Sequence, residues 1–198
     1  MKVLLNGRRG KVGSVLGPQL EAHGHELVDT LDRADAMVDF TRPDAAPGNI
    51  RAAIDAGVPS VVGTSGWDLD VARGAPVAVF YAPNFALGAV LMMRFAAQAA
   101  AFIPRAEIVE LHYETKVDAP SGTAKATANL LGRETVIHSV RLPGLVAHQE
   151  VLLGASGELL TIRHDATSNE VYASGVLLAL DKLPTLPPGL TLGLDALL

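Results

Sequence analysis

The stretch ELHYETKVDAPSGTA, Glu110 to Ala124, carries the residues best suited to chemistry. His112 ends an alternating apolar run, Ala106 to Tyr113, and Lys116 follows four residues later in a loop that reaches Pro120. Histidine supplies a proton donor that works near neutral pH. Ser121, Gly122 and Thr123 open the helical pattern SGTAKATANLL, which Gly132 ends, so their amides and hydroxyls lie where a helix best holds a carboxylate. Lysine beside a helix amino end makes a trap for a dicarboxylate. The plainer alternative is an N-capped helix next to a surface histidine and lysine. Convergence of all these groups on one loop favours a site.

A second feature lies at the amino end. Gly7, Gly10 and Gly13 are spaced G-x-x-G-x-x-G between the apolar run KVLLN and a helical pattern from Ser14 to His23. Backbone amides there, in Gly7, Arg8, Arg9, Gly10, Lys11 and Val12, can hold a pyrophosphate, and Gly13 lets helix and strand pack closely. The match is partial, because the commoner fingerprint has glycine where this chain has Arg9. A bare turn is the alternative. An acid about twenty residues on accepts the adenosine ribose hydroxyls in such folds. Asp32 fits that role and Asp29 is second; Arg33 suits a 2'-phosphate instead, so NADH and NADPH both stay open.

These groups need elements to position them. HELVDTL and AMVDF read as the next strands, followed by a helix near Ala46 to Ala56, and SVVGTSG and VAVFYAPNF repeat the pattern of an apolar strand ending in a polar turn. Strands alternating with helices predict a parallel sheet with ligands at the strands' carboxyl ends. Only Arg33, Ala34 and Asp35 separate Asp32 from the third strand, where a helical crossover needs roughly ten residues or more. The spacing therefore predicts a sheet domain trimmed after its second strand. Beyond Asn84, the run ALGAVLMMRFAAQAAAFI predicts a largely buried helix rather than a membrane span, since Arg94, Gln98 and Pro104 interrupt it. AEIVELHY, VIHSVRL, HQEVLLG and LLTIRHDA then suit an antiparallel sheet covered on one face.

Composition narrows the partners. A chain of 198 residues, 49% hydrophobic, can bury the cores of one large domain or two small ones. A formal charge of -5 and 5% aromatic residues argue against a nucleic-acid partner. The absence of cysteine suits a reducing compartment, and three apolar residues before Asn6 are too few for a signal peptide, so the expected location is the cytoplasm, with no membrane partner. His23, His25, His138, His148 and His164 show no metal-ligand spacing, and no metal is expected.

HYETKVDAPSGTA resembles the signature of the dihydrodipicolinate reductases. The glycine loop, VDFTRP at Val38 to Pro43, VVGTSG at Val61 to Gly66 and APNFALG at Ala82 to Gly88 follow that family's order, so the resemblance covers nearly the whole chain. It implies a Rossmann-type domain over residues 1–84 and 175–198, a smaller α+β substrate and oligomerisation domain over 85–174, and a homotetramer. By position, His112 resembles the family's acid/base histidine, and Lys116 its substrate lysine. Tyr113, Ser121, Gly122 and Thr123 would bind substrate, and Phe40, Thr41, Gly63, Thr64, Ser65, Ala82, Asn84 and Phe85 would hold NADH or NADPH. The implied reaction reduces 4-hydroxy-tetrahydrodipicolinate to tetrahydrodipicolinate in the diaminopimelate route to lysine.

There are departures. Tyr113 stands where a histidine is common, Arg141 lies in a segment, RLPGLVAHQE, that only loosely follows the family pattern, and the trimmed region after Asp32 implies weaker or altered cofactor binding. Two alternatives follow: a reductase of another imine or oxo-acid, and a non-catalytic nucleotide-binding or scaffold protein of the same fold.

Overall fold

Strand β1, Lys2–Asn6, buries Val3 and Leu5 on one face, and every later strand of its sheet runs parallel to it. After β1 come helix α1, Gly13–Ala22, strand β2, Glu26–Val28, strand β3, Ala36–Asp39, and helix α2, Ala46–Asp55. Strands β4, Ser60–Val62, and β5, Ala78–Tyr81, follow. Next are helix α3, Leu87–Ala100, strand β6, Arg105–His112, helix α4, Gly122–Leu130, and strands β7, Val136–Arg141, β8, Ala147–Ala155, and β9, Glu158–Ala166. Helix α5, Ala173–Lys182, and strand β10, Gly189–Leu192, end the chain. The computed structural model describes all residues, Met1–Leu198. They form two units, Met1–Leu87 with Asn169–Leu198, and Gly88–Ser168.

The first unit holds a six-stranded parallel sheet in the order β10-β5-β4-β3-β1-β2. Its inner strands are buried on both faces, which is why AMVD and SVV read as unbroken apolar runs. One face packs on α2 through Met37, Ile50, Val62, Trp67 and Val79. Strands β2 and β3 flank β1 on opposite sides, so the direction of strand order reverses there and opens a ligand crevice at the strands' carboxyl ends.

The crossover from β2 to β3 needs no helix because the strands are staggered. Val28 lies opposite Leu4 and Ala36 opposite Val3, so β3 starts one residue below the level at which β2 ends. Residues 29–35 therefore span little more than the width of β1, about 10 Å. Lys2 N donates to Asp35 Oδ2 at 2.6 Å and Asp35 N to Lys2 O at 2.8 Å, while Leu31 and Ala34 pack on the α2 face. Two hydrogen bonds and two apolar side chains do the work of the missing helix.

The second unit holds a four-stranded sheet, β7-β6-β8-β9. Here the antiparallel expectation needs correction: β6 pairs with β8, and β8 with β9, antiparallel, but β6 and β7 are parallel because α4 connects them as a crossover. Met92, Ala96 and Ala100 of α3 and Ala124 of α4 cover one face, over Ile108, Val151 and Leu153. The expectation for α3 is corrected too. A helix on one sheet face buries one stripe, here Ala89, Met92, Ala96 and Ala100, and leaves Phe95 half exposed. No helix in the chain is long and apolar enough to cross a membrane.

Candidate functional site

In the first unit the glycine loop folds tightly against the end of β3. Gly7 has φ +85°, and a Cβ there would lie 2.2 Å from Phe40 O; one on Gly13 would lie 2.1 Å from Gly7 O. Only glycine fits either place. Gly10 N donates to Gly7 O at 2.8 Å, while the amides of Lys11, Val12 and Gly13 have no acceptor in the chain, and α1 has no side-chain cap. A helix amino end with unpaired amides binds a phosphate group. A cavity of ≈ 350 Å³ beside it is lined by Gly7, Arg8, Arg9, Gly10, Val28 and Asp29 among others. These residues fit a dinucleotide: amides and arginines for pyrophosphate, and a carboxylate at the end of β2 for ribose hydroxyls.

That carboxylate is Asp29. Asp32 and Arg33 lie farther on, in a 3-10 turn of the crossover, where Arg33 makes an exposed ion pair with Glu26 at 3.8 Å. The early end of β2 moved the strand terminus back toward Asp29, which counting residues from the glycines could not show.

Phe40, Thr41, Gly63 and Thr64 meet at the ends of β3 and β4, organised by a residue the sequence reading missed. Asp39 is fully buried and accepts from Thr41 N at 3.1 Å, Thr41 Oγ1 at 2.8 Å, Thr64 Oγ1 at 2.6 Å and Asn49 Nδ2 at 2.7 Å. Its signal was an acid closing the apolar run AMVDF. Asp39→Ala leaves these donors unmatched, and is expected to cost about 1–3 kcal/mol in denaturant unfolding while loosening both turns; an unchanged unfolding midpoint would contradict this.

A Cβ on Gly63 would strike the Phe40 ring at 2.2 Å, and that ring lies 5.5 Å from Phe85. Ser65 is exposed, and Asn84 Oδ1 accepts from Ala86 N at 2.9 Å. Ala82 and Phe85, expected to line the cofactor site, are 0% and 1% exposed. Their side chains are core, supporting the turn from beneath, because Phe85 packs on Phe80 and Gly175 of α5 closes on its carbonyl.

In the second unit, Ile108, Glu110 and His112 alternate onto the helix-covered face of β6. His112 Nδ1 lies 2.5 Å from Glu110 Oε2, and Glu110 has no exposed surface. Arg141, opposite His112 in the β6–β7 register, donates to Glu110 Oε1 at 2.7 Å and Oε2 at 3.0 Å. It also donates to Asp118 O at 2.7 Å, tying down the polar loop. Burial pushes Glu110 up, but hydrogen bonds from Arg141, Ser139 and His112 outweigh it and hold the carboxyl below its usual range. Burial lowers His112 below the ordinary 6.5; Glu110 opposes that, and the charges of Lys116 and Arg141 add to it.

Lys116 Nζ pairs with Asp118 at 2.5 Å, and Tyr113 is 43% exposed beside His112. Ser121 caps α4, accepting from Ala124 N at 3.2 Å, so its own hydrogen remains available for a carboxylate. Gly122 and Thr123 form the first turn, with Thr123 O accepting from Thr127 Oγ1 at 2.8 Å. Thus His112, Lys116 and the α4 amino end come together in one unit, with Arg141 joined to them. Glu110 is the second residue the sequence reading missed. Its signal was a charged residue on the buried phase of VELH.

Comparison with known proteins finds relatives along the whole chain. Residues 22–85 match the family model described as dihydrodipicolinate reductase, N-terminus, and residues 88–198 the one described as dihydrodipicolinate reductase, C-terminus. The 4-hydroxy-tetrahydrodipicolinate reductase of Beutenbergia cavernae is 43% identical over 244 positions, spanning 100% of this chain and 98% of the relative. That of Mycobacterium marinum is 40% identical over 243 positions, spanning 100% and 99%. Since this chain has 198 residues, at least 46 of the 244 positions lie opposite gaps in it. The dipicolinate-bound dihydrodipicolinate reductase from Paenisporosarcina sp. TG-14 superposes with a TM-score of 0.87 at 29% identity, over 100% of this chain and 99% of that one. A probable dehydrogenase from Thermotoga maritima, at 9% identity and TM-score 0.70 over 100% and 92%, shares the fold.

Proposed function

This chain belongs to the dihydrodipicolinate reductase family, and we propose that it reduces 4-hydroxy-tetrahydrodipicolinate to tetrahydrodipicolinate, with NADH or NADPH, in the diaminopimelate route to lysine. The observation that carries this reading is the convergence of His112, Lys116 and the α4 amino end on one loop. When bound, the reduced nicotinamide would supply the hydride, and the glycine loop and Asp29 would hold its phosphates and ribose. Ser121, Gly122 and Thr123 receive one substrate carboxylate at the positive end of α4. Lys116, leaving Asp118, donates to the substrate, and a protonated His112 gives the proton that completes saturation as water leaves the ring. Dipicolinate, bound by the similar Paenisporosarcina protein, is a dicarboxylate that such a trap would accept.

Purified protein mixed with enzymatically generated 4-hydroxy-tetrahydrodipicolinate is expected to consume NADH or NADPH, followed by the loss of nicotinamide absorbance. No loss with either cofactor, in folded protein, overturns the reading. The pH dependence follows from His112. Because the working form is protonated and burial lowers the group, kcat/KM falls as pH rises through an apparent pKa below 6.5. A substrate dianion beside the ring favours its charged form, so the fall in kcat comes at higher pH.

Tyr113 at the site, 43% exposed, favours testing a second substrate class, and other cyclic imines and oxo-acids belong in the same assay. We also place the protein in the cytoplasm as a homotetramer. The face of the second sheet opposite α3 and α4 supports assembly: Val109, Leu111, Val140 and Leu152 are half-buried there, and Val136 and Leu159 are exposed. These apolar side chains alternate with the ion pairs His138–Glu107, His148–Asp165 and Arg163–Glu150, a mixed surface of the kind a subunit interface carries.

A further inference from the structure

We propose that Glu110 is a positioning residue for the reduction, fixing the His112 ring so that Nδ1–H points inward and Nε2 is the atom that delivers the proton, while Arg141 holds Glu110 and the Lys116 loop together. The kinetic part of this inference rests on the reductase reading; the structural part does not.

A carboxylate with no exposed surface, on the phase of β6 that holds Ile108, occupies a place where an apolar side chain is the default. Burying an ion pair adds little stability, and an apolar pair of similar volume often does as well. The Glu110–Arg141 pair therefore calls for another explanation. Its geometry supplies one. Glu110 Oε2 is shared, accepting from Arg141 at 3.0 Å and facing His112 Nδ1 at 2.5 Å, while Oε1 accepts from Arg141 at 2.7 Å. Arg141 keeps Glu110 ionised, and an ionised carboxylate only accepts. Nδ1 must then carry hydrogen in both the neutral and the charged ring, so Nε2 alone gains and loses the proton. Arg141 Nη2, which donates to Glu110 Oε1, also donates to Asp118 O at 2.7 Å and sets the loop bearing Lys116 against the same anchor. A proton donor and a substrate-holding cation, on a strand and a loop, thereby share one reference point.

The charged and titratable groups facing His112 are few. Glu110 lies on its own strand, Arg141 on β7 and Lys116 on the loop; on β8 its register partner is the uncharged Ala147. Among these, Glu110 is the anion in contact with the ring. Removing its charge should therefore disfavour the imidazolium.

The test is Glu110→Gln, which keeps an acceptor for Nδ1 but removes the charge. His112 is titrated by ring-nitrogen NMR in the intact, ligand-free protein. Relative to wild type, E110Q should titrate about one to three pH units lower, so that at a given neutral pH the protonated fraction falls about tenfold or more. The descending limb of kcat/KM should move to lower pH by the same amount, with KM for NADH unchanged. A purely structural role would lower the unfolding midpoint and leave both profiles in place, and that result overturns the proposal. Should E110Q fail to fold, the wild-type spectrum decides: a neutral His112 protonated at Nδ1 upholds the inference, and one protonated at Nε2 overturns it. If wild type shows no turnover yet E110Q shifts the titration, the reductase reading fails and the positioning stands. Turnover in wild type with an unmoved titration is the reverse.

Discussion

His112→Ala is expected to lower kcat by about two to four orders of magnitude, the contribution of a positioned general acid. The KM for the nicotinamide cofactor should barely change, because the residues proposed to hold it belong to the first unit. Folding should survive. The imidazole is partly exposed at the end of β6, and its removal leaves the Glu110–Arg141 pair with both of its hydrogen bonds. The unfolding midpoint should then move far less than turnover does. Steady-state kinetics on the generated substrate, beside circular dichroism of the same preparation, check both halves. Wild-type turnover in the variant would remove His112 from the mechanism, and a collapsed fold would make it a structural residue instead.

Gly13→Ala should have the second largest effect, for a steric reason. The new Cβ would lie 2.1 Å from Gly7 O, 2.7 Å from Gly7 C and 2.9 Å from Arg8 Cα. All three are backbone atoms of the turn, so no side chain can move aside. Either α1 slides away from β1 or the glycine loop opens. Forcing one methyl group into such a contact costs about 1–3 kcal/mol, occasionally more. The displaced atoms belong to the loop whose amides at Lys11, Val12 and Gly13 await an acceptor. We therefore expect a stability loss of that size together with at least a roughly tenfold weaker hold on NADH or NADPH, since each 1.4 kcal/mol is a factor of ten. Fluorescence titration of the cofactor and denaturant unfolding measure the two effects separately. Unchanged cofactor affinity would mean that the glycine loop is only a turn.

The parts of each site that were legible in the sequence depend on short-range physics. A glycine loop after an apolar strand, a serine at the start of an alanine-rich helix, and a histidine four residues from a lysine are local patterns whose meaning does not need the rest of the chain. The same holds for the alternation of strands and helices in the first unit. It even extended to the trimmed crossover, because three residues between Asp32 and the third strand leave no room for a helix. The resemblance of five ordered segments then supplied a reaction.

Other features depended on distant partners. Glu110 and Arg141 are 31 residues apart, and Asp39 and Thr64 are 25 apart. Each pair meets because two parallel strands end side by side, and strand register follows from packing rather than from any local signal. Parallel pairing of β6 with β7 could not be told from antiparallel pairing, since a half-covered strand alternates in either case. Asp29, rather than Asp32, directly follows β2 because pairing with β1 stops at Val28. The sequence thus carried the elements, the two loops and the chemistry of their side chains, since these follow from local backbone preference and residue type. The fold alone chose which buried carboxylate faces His112 and which acid closes β2, because those contacts exist only once separate strands have been brought into register.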